Sequence, residues 1–292
     1  MNRIELPQGP GSYRWYYVDA TGGGFTAVAI FMIGSLFSAR YAARARQGAE
    51  PRQHAAVNFA LYERGVRRAW VLSEYPDVSA DARTLRIGGS SLCYLGARGL
   101  RIDVAERTAP WGRPFEAHLT LEAEGPSVEP LELVSGLSHR WHPIAPMAKA
   151  RLEVPSLGLS TEARAYHDGN HGRAPLGSDL RGWDWSRSCE AGRTVITYHP
   201  WDSAEALHVT VTAGEAHVRR AAKPAGPRER TAWGLDVPKG PSRLLESSPF
   251  YARLESAEGG RHALGEVADF RRFHSPWIRW MASLRTRVER AA

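Results

Sequence analysis

Short stretches in which apolar and polar residues alternate, each closed by Gly, Pro or Asp, recur along most of the 292-residue chain. Alternation sends every second side chain to the same face, the pattern of a half-buried β-strand. Val57–Tyr62, Arg67–Leu72, Thr84–Ile87, Leu92–Leu95, Leu100–Val104 and Phe115–Leu121 read this way. The rhythm resumes after Pro155 with Thr161–Tyr166, Leu180–Arg187, Thr194–Tyr198, Leu207–Val211, Thr231–Leu235, Ser248–Leu254 and Ala263–Phe270. The aromatic run Tyr13–Asp19, bounded by Gly11 and Gly22–Gly24, predicts a strand and turn. Phe25–Phe37 is the most apolar stretch, interrupted by Gly34 and Ser35, and its β-branched and aromatic residues predict a strand buried on both faces. It is too short for a membrane span of roughly twenty residues. Ala39–Gln47 predicts a short basic helix. Short strands with turn signals every ten or so residues predict an all-β fold of sandwich or barrel type. The stretch Pro143–Pro155 reads as a linker, dividing the chain into β-barrel-like halves at 1–145 and 146–292.

The C-terminal tail follows a different period. On a wheel of about 100° per residue, Trp280, Met281, Leu284 and Val288 fall within about sixty degrees of Trp277. Arg271–Arg290 holds six Arg and one Glu. Two readings stand: a helix that caps the core, and a basic, Trp-bearing helix that touches anionic lipid.

Composition narrows the function classes. Lys+Arg number 38 against 31 Asp+Glu, a net charge of +7 that is almost all Arg and spread along the chain. No helix-turn-helix, zinc-finger or RNP pattern accompanies it, so the charge suits an anionic membrane face better than nucleic acid. Cys93 and Cys189 lack CxxC spacing and read as unpaired thiols in a reducing compartment. The N-terminus has no apolar run of signal-peptide type, so a cytoplasmic location is expected. GxSxG, Walker A and dinucleotide GxGxxG patterns are absent, so phosphate- and nucleotide-binding readings have little support.

The candidate chemistry sits in Tyr166–Arg187 and His139–Pro143. If both begin as strands, His139 and Trp141 share one face and Tyr166 and Asp168 share another, with His167 turned away. Trp183 and Trp185 pair on one side of their strand, leaving Asp184 on the other. A carboxyl among aromatics loses hydration, which raises its pKa and lets it serve as a general acid. A Trp face can stabilise a developing cation by about 0.5–2 kcal/mol. This equipment would protonate an unactivated double bond and capture the cation with water. Asp168 also opens the sequence DGNHG, and Asp-Gly is ordinary turn chemistry. The spacings HxxH (His139, His142) and HxxxH (His167, His171) raise a metal site, which strand geometry disfavours by splitting the first pair across the sheet.

At these residues the chain resembles the bacterial carotenoid 1,2-hydratases, also called hydroxyneurosporene synthases. The strings that carry the likeness are WYYVDA (Trp15–Ala20), FMIGSLFSARYAARAR (Phe31–Arg46), NFALY (Asn58–Tyr62), HRWHPIAP (His139–Pro146), WDWSR (Trp183–Arg187), SPFYAR (Ser248–Arg253) and SPWIRWM (Ser275–Met281). The resemblance implies two lipocalin-like β domains and a cofactor-free addition of water across the terminal C1=C2 bond of acyclic carotenoids such as neurosporene and lycopene. It places His139, Trp141, Tyr166 and Asp168 at the family's functional positions. Protonated Asp168 would deliver H⁺ to C2, Trp141 would stabilise the tertiary cation at C1, and Tyr166 would hold the acid. His139 or the Asp168 carboxylate would take the proton released by water. Peripheral membrane contact follows from a lipid-dissolved substrate. A lipocalin-like carrier without chemistry and a related pericyclase are the alternatives, since this architecture hosts several roles.

Overall fold

The alternating pattern is realised as long antiparallel strands in the computed structural model, which describes residues 3–35, 38–190, 192–223, 225–258 and 261–289. The first sheet takes β1 (Tyr13–Gly22), β2 (Phe25–Ile33), β3 (Ala55–Glu63), β4 (Val66–Tyr75), β5 (Ser79–Ala80), β6 (Thr84–Ile87), β7 (Ser90–Leu95), β8 (Gly99–Arg107), β9 (Pro114–Ala123), β10 (Leu131–Glu132), β11 (Arg140–Val154) and β12 (Leu159–Gly172). Its spatial order runs β4-β3-β2-β1-β12-β11-β9-β8-β7-β6-β5, with β10 beside β11. The second sheet is built from β13 (Gly182–Glu190), β14 (Arg193–Pro200), β15 (Glu205–Val211) and β16 (Ala216–Ala222), joined to β19 (Arg243–Ser247), β20 (Tyr251–Glu258) and β21 (Arg261–Asp269) through the β13–β21 pair. A separate hairpin pairs β17 (Arg228–Arg230) with β18 (Asp236–Pro238). The chain ends in a helix, Pro276–Arg285, and a two-residue strand, β22 (Arg287–Val288), parallel to β4.

Strand alternation sorts the apolar residues into separate cores. Tyr16, Val18, Ala29, Phe31, Phe59, Leu119 and Leu152 fill the inside of the first sheet, which curls until Phe59 of β3 meets Phe115 of β9 at 5.2 Å between ring centroids. The outer face of β1, β2, β11 and β12 presents Trp15, Tyr17, Ile30, Met32, Trp141 and Tyr166 to Trp183, Trp185 and Tyr198 of the second sheet. A small third core lies behind β20 and β21, around Leu235, Val237, Leu254 and Val267. The middle core, between two sheets, is where the candidate chemistry collects.

Several expectations change. Pro143–Pro155 is not a linker: Arg140–Val154 is one long strand, and residues 145 and 146 lie within it. It tolerates Pro143 because the ladder with β12 shifts register between Pro143 and Ala145. Asp168-Gly169 is no turn either. The dipeptide lies inside β12, which pairs with β1 on one side and β11 on the other. Thr231–Leu235 forms the turn of the β17–β18 hairpin, where Leu235 N donates to Thr231 Oγ1 at 3.2 Å and Gly234 has φ +71°. The C-terminal helix stops at Arg285, so Val288 belongs to β22 and not to the helix face. The expected helix over Ala39–Gln47 is one α-turn, Ala39–Arg44, continued by a 3₁₀ turn, with Ser38 as its N-cap. Leu36 and Phe37, the end of the expected second strand, lie outside the described residues, as does Arg290. Ala216–Ala222 and Arg243–Ser247 are strands that the pattern did not predict, because neither alternates regularly between buried apolar and exposed polar positions.

A buried ion pair crosses between the sheets. Arg187 of β13 reaches Asp19 of β1 through Nε, at 3.2 Å from Oδ2, and through a second contact from its Nη2 to Oδ1; both residues are fully buried. Removing one partner of such a pair costs about 3–5 kcal/mol, because the other charge is stranded. Arg187→Met should therefore lose about 3–5 kcal/mol in chemical denaturation, and Asp19→Leu/Arg187→Met should recover most of it.

Candidate active site

Asp168 lies on the outer face of β12, 3% exposed, opposite Tyr17 of β1. Its two oxygens differ. Oδ2 accepts hydrogen bonds from Tyr166 Oη at 2.6 Å and from Trp141 Nε1 at 2.7 Å. Trp141 Nε1 also lies 3.2 Å from Tyr166 Oη, which closes a triangle of three buried groups. Oδ1 is buried and has no hydrogen-bond partner. With two donors on Oδ2, the acidic proton belongs on Oδ1. Burial pushes the carboxyl up to about 7, against the opposing pull of the Tyr166 and Trp141 bonds, and the nearby charges of Glu266 and Asp19 add to the rise. Burial and the neighbouring Asp168 hold the Tyr166 phenol well above its ordinary value, so it stays a donor.

Asp168 borders a cavity of about 40 Å³ lined by Trp15, Tyr17, Ile30, Met32, Asn170, Trp183, Trp185, Tyr198 and Glu266. That volume holds water, not a branched hydrocarbon, so a larger guest requires these side chains to shift. Trp183 and Trp185 face it together, as strand alternation requires, and Asp184 points into the opposite cavity, paired with Arg228. Tyr17 meets Trp185 edge-on at 5.6 Å and Tyr166 at 6.1 Å.

His139 shares the face of Trp141 but does not reach Asp168. It is fully buried, with Nδ1 2.9 Å from Tyr13 Oη and Nε2 2.6 Å from Asp179 Oδ1. Asp179 accepts from His139 Nε2–H, and His139 Nδ1 meets the Tyr13 hydroxyl. Gly172 makes room for it: a Cβ there would sit 2.5 Å from His139 Nδ1. The imidazole thus ties β11 to the loop that leads into the second sheet. His167 turns the other way, with Nε2 3.0 Å from Tyr94 Oη and Nδ1 2.9 Å from Tyr17 O, and burial lowers it to about 4. Among the described residues no three of His, Cys, Asp or Glu converge on a metal-sized space. Cys93 and Cys189 are free thiols.

The family model for the carotenoid hydratase CrtC matches residues 29–292. The chain belongs to the CrtC carotenoid hydratase family. It is 31% identical to the acyclic carotenoid 1,2-hydratase of Thiocapsa roseopersicina, over 97% of this chain and 75% of that protein. It is 30% identical to that of Rubrivivax gelatinosus, covering 91% and 69%. Cereibacter sphaeroides has a relative of the same name at 28% identity, covering 88% and 96%. Among solved structures, an AttH-type protein of Nitrosomonas europaea superposes with a TM-score of 0.55 at 14% identity, covering 88% of this chain and 92% of that one. CghA in complex with Sch210972 gives 0.51 at 12%, covering 89% of each. These two likenesses concern fold alone, the double lipocalin-like architecture of two curled antiparallel sheets with one short C-terminal helix.

For this CrtC-family chain the structure joins three of the four expected residues, Trp141, Tyr166 and Asp168, and sets His139 apart. Sequence reasoning missed Tyr17, Asn170, Tyr198 and Glu266 in the cavity wall. A signal existed for Tyr17: Tyr13, Trp15 and Tyr17 alternate in one strand and share a face. Removing the indole N–H takes away a donor that favours the charged carboxylate. Trp141→Phe should raise the Asp168 titration above about 7 by about one unit, as the worth of a hydrogen bond to a charged group implies. Carboxyl ¹³C shifts of labelled aspartate measure it, and an unmoved titration would contradict the bond.

Proposed function

We propose that this chain adds water across the terminal C1=C2 double bond of an acyclic carotenoid, with Asp168 as the acid. The observation that carries the reading is the divided carboxyl: Oδ2 bound by Trp141 and Tyr166, and Oδ1 bare beside an aromatic chamber. Proton transfer from Oδ1 to C2 leaves the more substituted cation at C1. The rings of Tyr17, Trp183 and Trp185 border that space and stabilise the charge. Water adds at C1, and its loss of a proton yields the tertiary alcohol. Alkene and water give the alcohol with one proton delivered and one returned, so no step calls for a cofactor. Tyr166 and Trp141 hold the acid, and His139 is a positioning residue acting through Tyr13 and Asp179.

Asp168→Asn keeps an acceptor for both donors and removes the acid. In a bacterial host that accumulates lycopene or neurosporene, the unaltered chain should yield a carotenoid heavier by one water. The variant should lower that yield by about 10²–10⁴-fold. An unchanged extract from the unaltered chain would sink the hydratase reading and leave the carrier. The same variant should gain stability. Between the unfolded aspartate value of about 3.9 and about 7, the folded state holds the proton that the unfolded state has lost. Stability falls as pH rises through that window, by up to about 4 kcal/mol. Asp168→Asn should remove this loss, so its melting advantage should be largest above pH 7 and vanish near pH 4. Activity of the unaltered chain should fall as pH rises through about 7.

A lipid-dissolved substrate calls for contact with a bilayer, and the C-terminal helix fits the task. Trp277 and Trp280 are 58% and 52% exposed and stack at 4.9 Å, with exposed Leu284 beside them. Ile278, Met281 and Ala282 on its inner side cover an apolar cavity of about 100 Å³ that also touches Ile30, a wall residue of the Asp168 chamber. No helix among the described residues is long and apolar enough to cross a membrane. Sedimentation with phosphatidylglycerol vesicles should carry the protein down, and Trp277→Ala/Trp280→Ala should weaken binding by at least about tenfold, as interfacial Trp burial implies. Equal binding by the variant would remove the helix from this role.

A further inference from the structure

Hydration needs an acid and also a group that takes the proton from the attacking water. Of the residues that border the Asp168 chamber, Asp168 and Glu266 are the two that carry carboxyl groups; Asn170, the nearest polar alternative, has an amide that does not accept a proton at neutral pH. His139 does not border the chamber, and both of its nitrogens are engaged by Tyr13 and Asp179. We infer that Glu266, facing Asp168 from the second sheet, is the catalytic base that deprotonates the water adding at C1; this rests on the hydratase reading above.

The fold sets the two carboxyls apart in kind. Asp168 comes from β12 of the first sheet and has only neutral donors, Tyr166 and Trp141. Glu266 comes from β21 of the second sheet, directly paired with Trp185 on one side and Arg253 on the other. The buried Arg253 guanidinium donates to Glu266 Oε1 from Nε at 3.1 Å. The two carboxyls of this chamber therefore differ in their partners, one among neutral donors and the other beside a fixed cation. The charge of Glu266 in turn helps keep the proton on Asp168. Glu266 also borders the wider, more polar cavity of about 670 Å³ on the far side of its sheet, where water can exchange. In the step itself the C1=C2 pair takes the Asp168 proton at C2, and water oxygen forms the bond to C1. One water proton moves to the Glu266 carboxylate. Asp168 is left as carboxylate and Glu266 as acid, and a single proton passed back through water restores both.

The test uses an acyclic carotenoid in phosphatidylglycerol vesicles made up in D₂O, with alcohol formed and deuterium at C2 of recovered alkene both followed by mass and NMR. Glu266→Gln should cut alcohol formation by about 10²-fold or more, the usual worth of a general base. Deuterium should still wash into the recovered alkene, because Asp168 continues to protonate C2 and to take the proton back. A structural defect would instead lower both signals together. Glu266→Gln strands Arg253 with Glu246 alone, so Arg253→Met/Glu266→Gln, which removes both charges, carries the test if the single variant does not fold. Alcohol formation within a few-fold of the unaltered chain in either folded variant overturns the role of Glu266, as does a parallel loss of both signals. If the unaltered chain forms no alcohol, the hydratase reading itself falls.

Discussion

A carboxyl group placed between two apolar sheets must either find donors or keep its proton, and Asp168 does both at once. The desolvation that raises its pKa outweighs two good hydrogen bonds that would lower it. Those bonds fall on a single oxygen, so they orient the acid without occupying the oxygen that holds the proton. The arrangement depends on the two sheets meeting face to face. The first supplies Asp168, Trp141 and Tyr166; the second supplies Trp183, Trp185, Tyr198 and Glu266 as the opposite wall. Separating the sheets would hydrate Asp168 and return it to ordinary carboxylate behaviour.

That dependence explains why the interface also carries buried ions. Asp19–Arg187 and the Glu246–Arg253–Glu266 group sit in the same layer as the aromatics. Well-packed apolar residues would be at least as stabilising in such positions. Their value lies in position: Arg187 fixes β13 against β1, and Arg253 joins β20 to β21 through Glu266 and reaches Tyr62 Oη of β3 at 3.3 Å. The strands that bear Trp185 and Glu266 are thereby held in place opposite Asp168.

Much of this could be read from the chain. Alternation gave most strands, and parity placed Tyr166 with Asp168 and His139 with Trp141, because period two is a property of any extended backbone. What parity cannot give is the pairing between distant strands. It could not tell that Tyr17 lies opposite Asp168 in the ladder, nor that β13 and β21 close the chamber from another sheet. Gly and Pro misled in one direction: Asp168-Gly169 and Pro143 read as breaks, yet both lie in β11–β12, where neighbouring strands on each side override local turn preference. Glu266 had a faint signal, a charged residue sharing parity with buried Leu264 and Ala268. Its meaning depends on Arg253 in the next strand, and register decides that pairing.

Under the proposed hydration, the placement of Asp168 would also limit how a long polyene reacts. The space at Asp168 is small, and it shares the wall residue Ile30 with a second apolar cavity beneath the inner side of the C-terminal helix. In the proposed reaction a linear chain entering from that side would lead with its terminus, and the remainder would lie against Trp70, Leu72 and Met281. In that reaction, selectivity for a terminal double bond would need no specific recognition of the hydrocarbon: with the terminus at Asp168, internal double bonds would lie farther back along the chain than the acid reaches. The same helix that covers this cavity shows its Trp pair to the outside, so the proposed membrane contact and the proposed substrate path would share one piece of structure.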